Sequence, residues 1–545
     1  MPTPGRSPRW PAEMLALALL LCGFGLSAEA FICPALLAPR SSVGVAKTAS
    51  FAGRPGRFSG KEASSVSPLF LAAALGAASC LARAARGRAA VEEALGAQLT
   101  APASDASEQR ILVVAMGTRG DAEPGFRLAA ALRDRGHAVL VVSLDAYKAE
   151  ATQRFGLDFR SSGLESVPLS QDYLTGKTRA DQVYADRGWY GDAWTTVGEK
   201  IYEAAQEHQC DLIVTTSMGN THCLDVAEKL NILCFALKFC PDIDGQVPTA
   251  DFPPSGYPSG PGFMNLLFHV LENLNTVRAV FQGGFIPRVI DFRNKLGLPS
   301  QEIPGVMEVP TYSDYRQTLQ ANQPSLYAFS SALIDRPSEY QSWHFVTGSF
   351  SARGGGYDPT SPELPADLLK FLKKGETVCI AFGSMSLART NPFEERAVAS
   401  VRRQGRQVLI VDKDTPQEGL GDDGATFRIK SAPYDRLFPL CALVVHHGGA
   451  GTLQDCLFAG TPQLVAPVLS WSDQPLWGKV VEEKSLGLCL GAGGVPPSAA
   501  EWDAALEEVL GRLPAFRKAA EEVAPKASGE EGLEAACQIL EESMA

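Results

Sequence analysis

Apolar runs of five to eight residues, several of them closed by a glycine turn and followed by an amphipathic stretch, set the plan of this chain. ILVVAM (111–116) is continuously apolar and leads into Gly117-Thr118-Arg119-Gly120-Asp121; the helical pattern GFRLAAALRDRG (125–136) and a second apolar run, AVLVVSL (138–144), follow. Unbroken β-branched runs of this length are the mark of strands buried on both faces, and their alternation with helices predicts a parallel sheet. DLIVTT (211–216) and ILCFALKF (232–239), with THCLDVAEKL (221–230) between them, continue the series. A second series starts after the Gly- and Pro-rich SARGGGYDPTSPELP (351–365): TVCIAF (377–382) ending in Gly383-Ser384, the helical ERAVASVRRQG, then QVLIV, CALVVHH (441–447), GTLQDCLFAG and PQLVAPV. The expected fold is α/β, with two doubly wound, Rossmann-like halves facing across a cleft. The first spans 110–350 and the second 351–545 with terminal helices, and ligands are expected at the carboxyl ends of the strands.

The first hundred residues follow another pattern. MLALALLLCGFGL (14–26), preceded by Arg6 and Arg9 and followed by Ala28-Glu29-Ala30, has the layout of a signal peptide, giving a leader over 1–30. Residues 31–109 read as a transit-like leader and linker, rich in Ser, Ala and Gly with scattered Arg and Lys. Together they predict entry to the secretory pathway, with a plastid reached through a bipartite leader as the further destination. PLFLAAALGAASCLA (68–82) falls short of the roughly 20 residues that cross a bilayer, so it reads as leader, with a membrane anchor and peripheral membrane contact as the alternative.

A length of 545 residues allows more than one core, and a net charge of −12 argues against nucleic acid as a partner. The 12 cysteines are scattered without a CxxC pair, and no metal site is expected. Chemistry concentrates in Val445-His446-His447-Gly448-Gly449-Ala450-Gly451-Thr452, then Ala459-Gly460-Thr461-Pro462 and Asp473-Gln474-Pro475. An apolar strand that ends in two imidazoles and opens through glycines into a helix turns backbone N–H groups toward a diphosphate-sized anion. The glycines alone fit a plain loop equally well.

The run from Ala432 to Gly478 resembles the nucleotide-sugar signature of the sterol glucosyltransferases and their bacterial antibiotic glycosyltransferase relatives, and the likeness extends to Gly117–Asp121, Leu296-Gly297-Leu298-Pro299 and Phe382-Gly383-Ser384-Met385. That resemblance implies the GT-B fold and an inverting, metal-independent hexosyltransferase acting on a lipophilic alcohol such as a sterol. It uses no cofactor; UDP-glucose is the co-substrate. Carried over to this sequence, it makes Asp121 the general base, with a helix cap as the other role open to it. Gly383, Ser384, His447, Gly449, Gly451 and Thr452 become the diphosphate cradle. Asp473 and Gln474 become the contacts to sugar hydroxyls. His222 is an acceptor-side candidate and His446 a packed neighbour of His447; Asp242-Ile243-Asp244 and Asp412-Lys413-Asp414 have the D-x-D form of a metal-dependent transferase, but neither falls in the signature, and the second reads as a solvated turn. Tyr434 and Arg436 replace the His and Trp usual in the segment before the signature. The competing readings are a noncatalytic nucleotide-sugar-binding protein on the same fold and, more remotely, a dinucleotide-dependent oxidoreductase, whose G-x-G-x-x-G spacing Gly117, Gly120 and Gly125 do not supply.

Overall fold

The computed structural model describes residues 108–166, 193–241, 249–254, 257, 260–269, 285–298, 323–350, 362–383, 392–413, 415–469, 472–491, 493 and 495–544. The leader, the 68–82 stretch, Ser384, the 242–244 sequence and Asp414 lie outside them. Among the described residues no helix is long and apolar enough to cross a membrane.

Two seven-stranded sheets carry the fold. In the first, β1 (Arg110–Ala115), β2 (Ala138–Ser143), β3 (Asp158–Ser161), β4 (Leu212–Thr216), β5 (Leu233–Lys238), β6 (Ser325–Tyr327) and β7 (His344–Val346) run in the order β3-β2-β1-β4-β5-β6-β7. Every pair in it is parallel. Helices α1 (Arg119–Asp134), α2 (Trp194–His208), α3 (Asn220–Leu230) and α4 (Phe285–Leu296) accompany these strands. The residues of β1 alternate between two cores: Leu112 and Val114 join Trp194, Val197 and Ile201, while Ile111 and Val113 join Phe126, Leu128 and Leu132. A strand sealed on both faces has no use for polar alternation, which is why ILVVA is unbroken.

The second sheet has the order β10-β11-β9-β8-β12-β13-β14, from β8 (Thr377–Ala381), β9 (Gln407–Val411), β10 (Gly419–Leu420), β11 (Thr426–Ile429), β12 (Leu443–His446), β13 (Gln463–Val465) and β14 (Gly487–Cys489). Only β10 is antiparallel, pairing with β11 at the edge of the sheet. The helices of this half are α5 (Ala366–Leu372), α6 (Pro392–Arg403), α7 (Ala450–Phe458), α8 (Gln474–Glu483), α9 (Ala499–Gly511) and α10 (Leu513–Ser528), and α11 (Gly532–Met544) ends the chain. In each sheet the strand order reverses once, between β1 and β4 in the first and between β8 and β12 in the second. A crevice opens at such a point because the helices on its two sides leave in opposite directions.

One expectation is corrected. The terminal helices do not all stay with the second half, because α11 packs back on the first. Ala536, Cys537 and Leu540 lie in the core with Phe126 and Leu132. Arg135, at the end of α1, makes a bidentate pair with Glu541 at 2.6 and 2.7 Å and reaches Glu534 at 2.7 Å, and the His137 ring lies 3.0 Å from Glu541. The Ala-Cys-Leu stripe of α11 needs an apolar partner, and the open face of α1 supplies it.

Candidate active site

The two reversal points carry most of the residues expected from the sequence. At the first, β1 ends at Ala115, and Met116-Gly117-Thr118 turns into α1. Gly117 has φ +132°, and a Cβ there would fall 2.4 Å from Asp121 Oδ2, so the turn admits no side chain. Asp121 is the third residue of α1. Its Oδ2 accepts from the Thr118 N–H at 2.7 Å and from the Thr118 hydroxyl at 3.0 Å. Cap and base are therefore compatible roles: Oδ2 closes the helix end, and the Thr118 bonds leave Oδ1 unused. Burial raises the Asp121 carboxyl to about 6 despite the Thr118 bonds, which pull it down.

At the second reversal point, β12 ends in His446 and the chain passes through His447, Gly448 and Gly449 into α7. His446 is fully buried. Its Nδ1 accepts from the Gly448 N–H at 3.1 Å while Nε2 faces Gln463 Oε1 at 2.9 Å, so Nε2 carries the proton. Burial holds this ring neutral, with its pKa lowered to about 4. His446 thus shapes the turn, the packed role expected of it. His447 faces the other way, with Gly383 and Gly449 against its ring: added Cβ atoms would lie 3.5 Å from Cε1 and 2.6 Å from Nε2. Burial first, and then the neighbouring His446, lower the His447 pKa to about 3. Its Nδ1 is buried without a hydrogen-bond partner among the described residues. A buried polar atom left without a partner costs about 1–3 kcal/mol, a cost that a ligand's acceptor or donor would remove.

Gly449 is the N-cap of α7, and Gly451 in the first turn is exposed, with open space where a Cβ would stand. The N–H groups of this turn, Thr452 included, belong to the four that an α-helix leaves without intrahelical partners. Gly448, with φ +92°, is pressed against the start of α8: a Cβ would lie 2.9 Å from the Gln474 carbonyl oxygen. That contact brings Asp473 into the site. Asp473 Oδ2 accepts from Trp477 Nε1 at 3.0 Å, and its pKa is raised to about 6, by burial first and then by the Asp121 charge. The carboxylate of the first half and that of the second are thus within electrostatic reach of each other. Gln474 departs from the sequence reading. Its Oε1 accepts from the N–H groups of Val468 and Leu469 at 2.8 and 2.9 Å, so the acceptor end of the amide braces the loop after β13.

His222 does not face a cleft. It is fully buried, its ring 4.0 Å from the Trp194 ring and 5.6 Å from that of Phe292, with Nε2 against the Trp194 carbonyl at 2.9 Å. The ring belongs to the core between α2, α3 and α4, where an imidazole at the start of an amphipathic helix buries its flat faces. Tyr434 stacks on Phe438, ring centroids 4.2 Å apart, and Arg436 pairs with Glu363 at 3.5 Å. Asp412, directly after β9, lies close enough to Glu394 to help burial raise that carboxyl to about 7. Sequence reasoning missed Thr118 and Trp477 as the groups that orient the two carboxylates. Their spacings, i to i+3 across a helix start and i to i+4 within a helix, were the signal available.

With this geometry in hand, known proteins agree on the class. Residues 399–541 match the family described as erythromycin biosynthesis protein CIII-like, C-terminal domain. The O-mycaminosyltylonolide 6-deoxyallosyltransferase of Streptomyces fradiae is 28% identical over 454 residues, 79% of this chain and 97% of that enzyme. Sterol 3-beta-glucosyltransferases of Arabidopsis thaliana (27% identical, 69% of this chain) and Neurospora crassa (26%, 72% of this chain) are also similar. This chain spans 57% of the first of these and 25% of the second. Among solved structures, the glycotransferase of kitacinnamycin superposes with a TM-score of 0.58 at 16% identity, covering 81% of this chain and 100% of its own. The spinosyn forosaminyltransferase gives 0.53 at 17%, covering 80% and 100%. The fold is therefore that of the GT-B glycosyltransferases. Over most of its described length the chain is similar to sterol glucosyltransferases and to an antibiotic sugar transferase.

Proposed function

We propose that the protein is an inverting, metal-independent glycosyltransferase that moves glucose from UDP-glucose to a hydroxyl of a lipophilic acceptor such as a sterol. The observation that carries this reading is that Asp121, from the start of α1, lies within electrostatic reach of Asp473, which heads α8 in the half that holds the His447–Thr452 turn. A proton acceptor and an anion cradle on opposite walls are what attack at a sugar's anomeric carbon requires. In that step the acceptor oxygen bonds to the anomeric carbon, the bond from that carbon to the β-phosphate oxygen breaks, and the hydroxyl proton passes to Asp121 Oδ1. The electrons of the broken bond leave with UDP.

His447, neutral with a pKa near 3, gives the diphosphate a hydrogen bond but no charge. The first-turn N–H groups of α7 provide the positive end of a helix dipole toward the same group. Asp473, fixed by Trp477, is the acceptor for sugar hydroxyls, while Gln474 holds the loop beside it. Ser384, which follows Gly383 at the end of β8, is assigned to the same phosphates from the sequence resemblance. The sterol glucosyltransferase relatives support glucose and a sterol, whereas the O-mycaminosyltylonolide 6-deoxyallosyltransferase is named for another sugar and another acceptor.

Thermal shift of the purified protein with UDP, UDP-glucose, thymidine diphosphate and NADPH tests this reading. Stabilisation by UDP-glucose in the absence of added metal is expected. A response only to NADPH, or to none of them, would overturn the proposal.

A further inference from the structure

We infer that Thr216, together with Ser143, is a positioning residue for Asp121: two buried hydroxyls pin the tip of β1 from its two neighbouring strands. The inference rests on Asp121 being the base, and it concerns residues that touch neither donor nor acceptor.

The tip of β1 is an unusual place in the first core. Ala115 and Met116 are fully buried, yet the backbone leaves the ladder here to enter the Gly117-Thr118 turn, so its polar groups lose their regular strand partners. On one side Thr216, the last residue of β4, replaces them both. Its hydroxyl accepts from the Met116 N–H at 2.9 Å and donates to the Met116 carbonyl at 2.6 Å. On the other side the Ser143 hydroxyl, at the end of β2, donates to the Ala115 carbonyl. Thr216 is 1% exposed and Ser143 is fully buried. A buried hydroxyl is costly unless it is hydrogen-bonded, and Thr216 accepts from and donates to one residue, Met116, directly after β1. The sheet register gives these two strand ends no freedom to drift: Val114 pairs with Val142 on one side and with Thr215 on the other.

From Met116 to the carboxylate the path is short and stiff. Gly117 follows Met116, its φ of +132° packing its Cα against the Asp121 side chain, and the next N–H, that of Thr118, is the one that Asp121 Oδ2 accepts at 2.7 Å. A shift of Met116 therefore moves the donor that orients the carboxylate. Two consequences follow. The open oxygen of Asp121 loses its aim, and misplacement by about 1 Å costs on the order of a hundredfold in rate. The Thr118 bonds that pull the Asp121 pKa down also weaken, so that value rises further above about 6.

The test compares the full-length wild-type protein with Thr216→Val, which keeps the shape and removes the hydroxyl, and Thr216→Ser, which restores it. Amide hydrogen exchange at Met116 and Thr118 is read first, because it needs no turnover. It is expected to be faster in T216V and near wild type in T216S, with exchange in the second sheet unchanged. UDP release from UDP-glucose with cholesterol as the acceptor is read second. T216V is expected to lower kcat by roughly tenfold or more with the UDP-glucose KM little changed, and to move the acidic limb of the rate profile to higher pH. Unchanged exchange at both amides in T216V overturns the clamp. Faster exchange with an unchanged pH profile and kcat overturns its role in positioning. If Asp121→Asn keeps full turnover, the base assignment fails, and the exchange measurement still decides whether Thr216 holds the turn. Should T216V not fold, Ser143→Ala, which removes the hydroxyl on the other side of the same tip, is measured in the same way.

Discussion

The two sheets present their reversal points with the same topology and opposite chemistry. At the end of β1 a carboxylate is held by a threonine N–H and hydroxyl, in a turn that a glycine keeps tight. At the end of β12 the chain offers glycines, helix N–H groups and a neutral imidazole, with no acidic side chain from His447 to Thr452. In the proposed reaction the first arrangement takes up a proton and the second receives negative charge. Burial serves both. It lifts Asp121 to about 6, so the carboxylate is ionised at neutral pH yet basic enough to take a proton, and it lowers His447 to about 3, so that ring donates without titrating.

Asp121→Asn should show the largest effect. We expect a loss of kcat of about a thousandfold or more with UDP affinity nearly intact, measured by turnover and by calorimetry. The same variant should be more stable at pH 8, because the Asp121 pKa rises on folding. Its contribution to stability is full below the ordinary value of 3.8 and is lost as pH rises through about 6. A lower Tm for the variant at pH 8 would contradict the burial argument.

His447→Ala comes next and acts on the other wall. It should weaken UDP-glucose binding and lower kcat by roughly ten- to a hundredfold, and unchanged donor affinity would place the diphosphate elsewhere. Gly448→Ala should cost about 1–3 kcal/mol of stability and weaken donor binding, since it needs φ +92° and its Cβ would meet the Gln474 carbonyl at 2.9 Å. A fully stable G448A would show that the turn can relax. The smallest effect expected is that of pH on the wild-type protein. The rate should climb about tenfold per unit up to pH 6 and flatten above it, with no further step from His447 between pH 5 and 8.

The sequence was most legible where side-chain type alone decides the outcome. The runs 111–116, 211–216, 377–382 and 441–447 could only be buried parallel strands, and all four are. Short strands such as β6, Ser325–Tyr327, and β14, Gly487–Cys489, carry too few residues to show a period; they exist because a neighbouring strand offers its edge. The helical pattern of α11 was legible too, but not its destination. An amphipathic stripe states that a partner is needed without naming it, and the match to α1 lies some 400 residues away in the chain.

The site divides in the same way. Local order along the chain determined the Gly-Gly-Ala-Gly-Thr helix start after His447, the glycine turn before Asp121 and the Asp-Gln pair at the head of α8, because a turn and its helix are neighbours in sequence. Tertiary structure alone decided that His222 is core and not cleft, that Gln474 braces a loop with its carbonyl oxygen, and that Asp121 and Asp473 sense each other across the two halves. It also decided the protonation of the site, since the pKa values of Asp121, His447 and Asp473 are set first by burial, a property that no stretch of sequence has until the rest of the chain has packed around it.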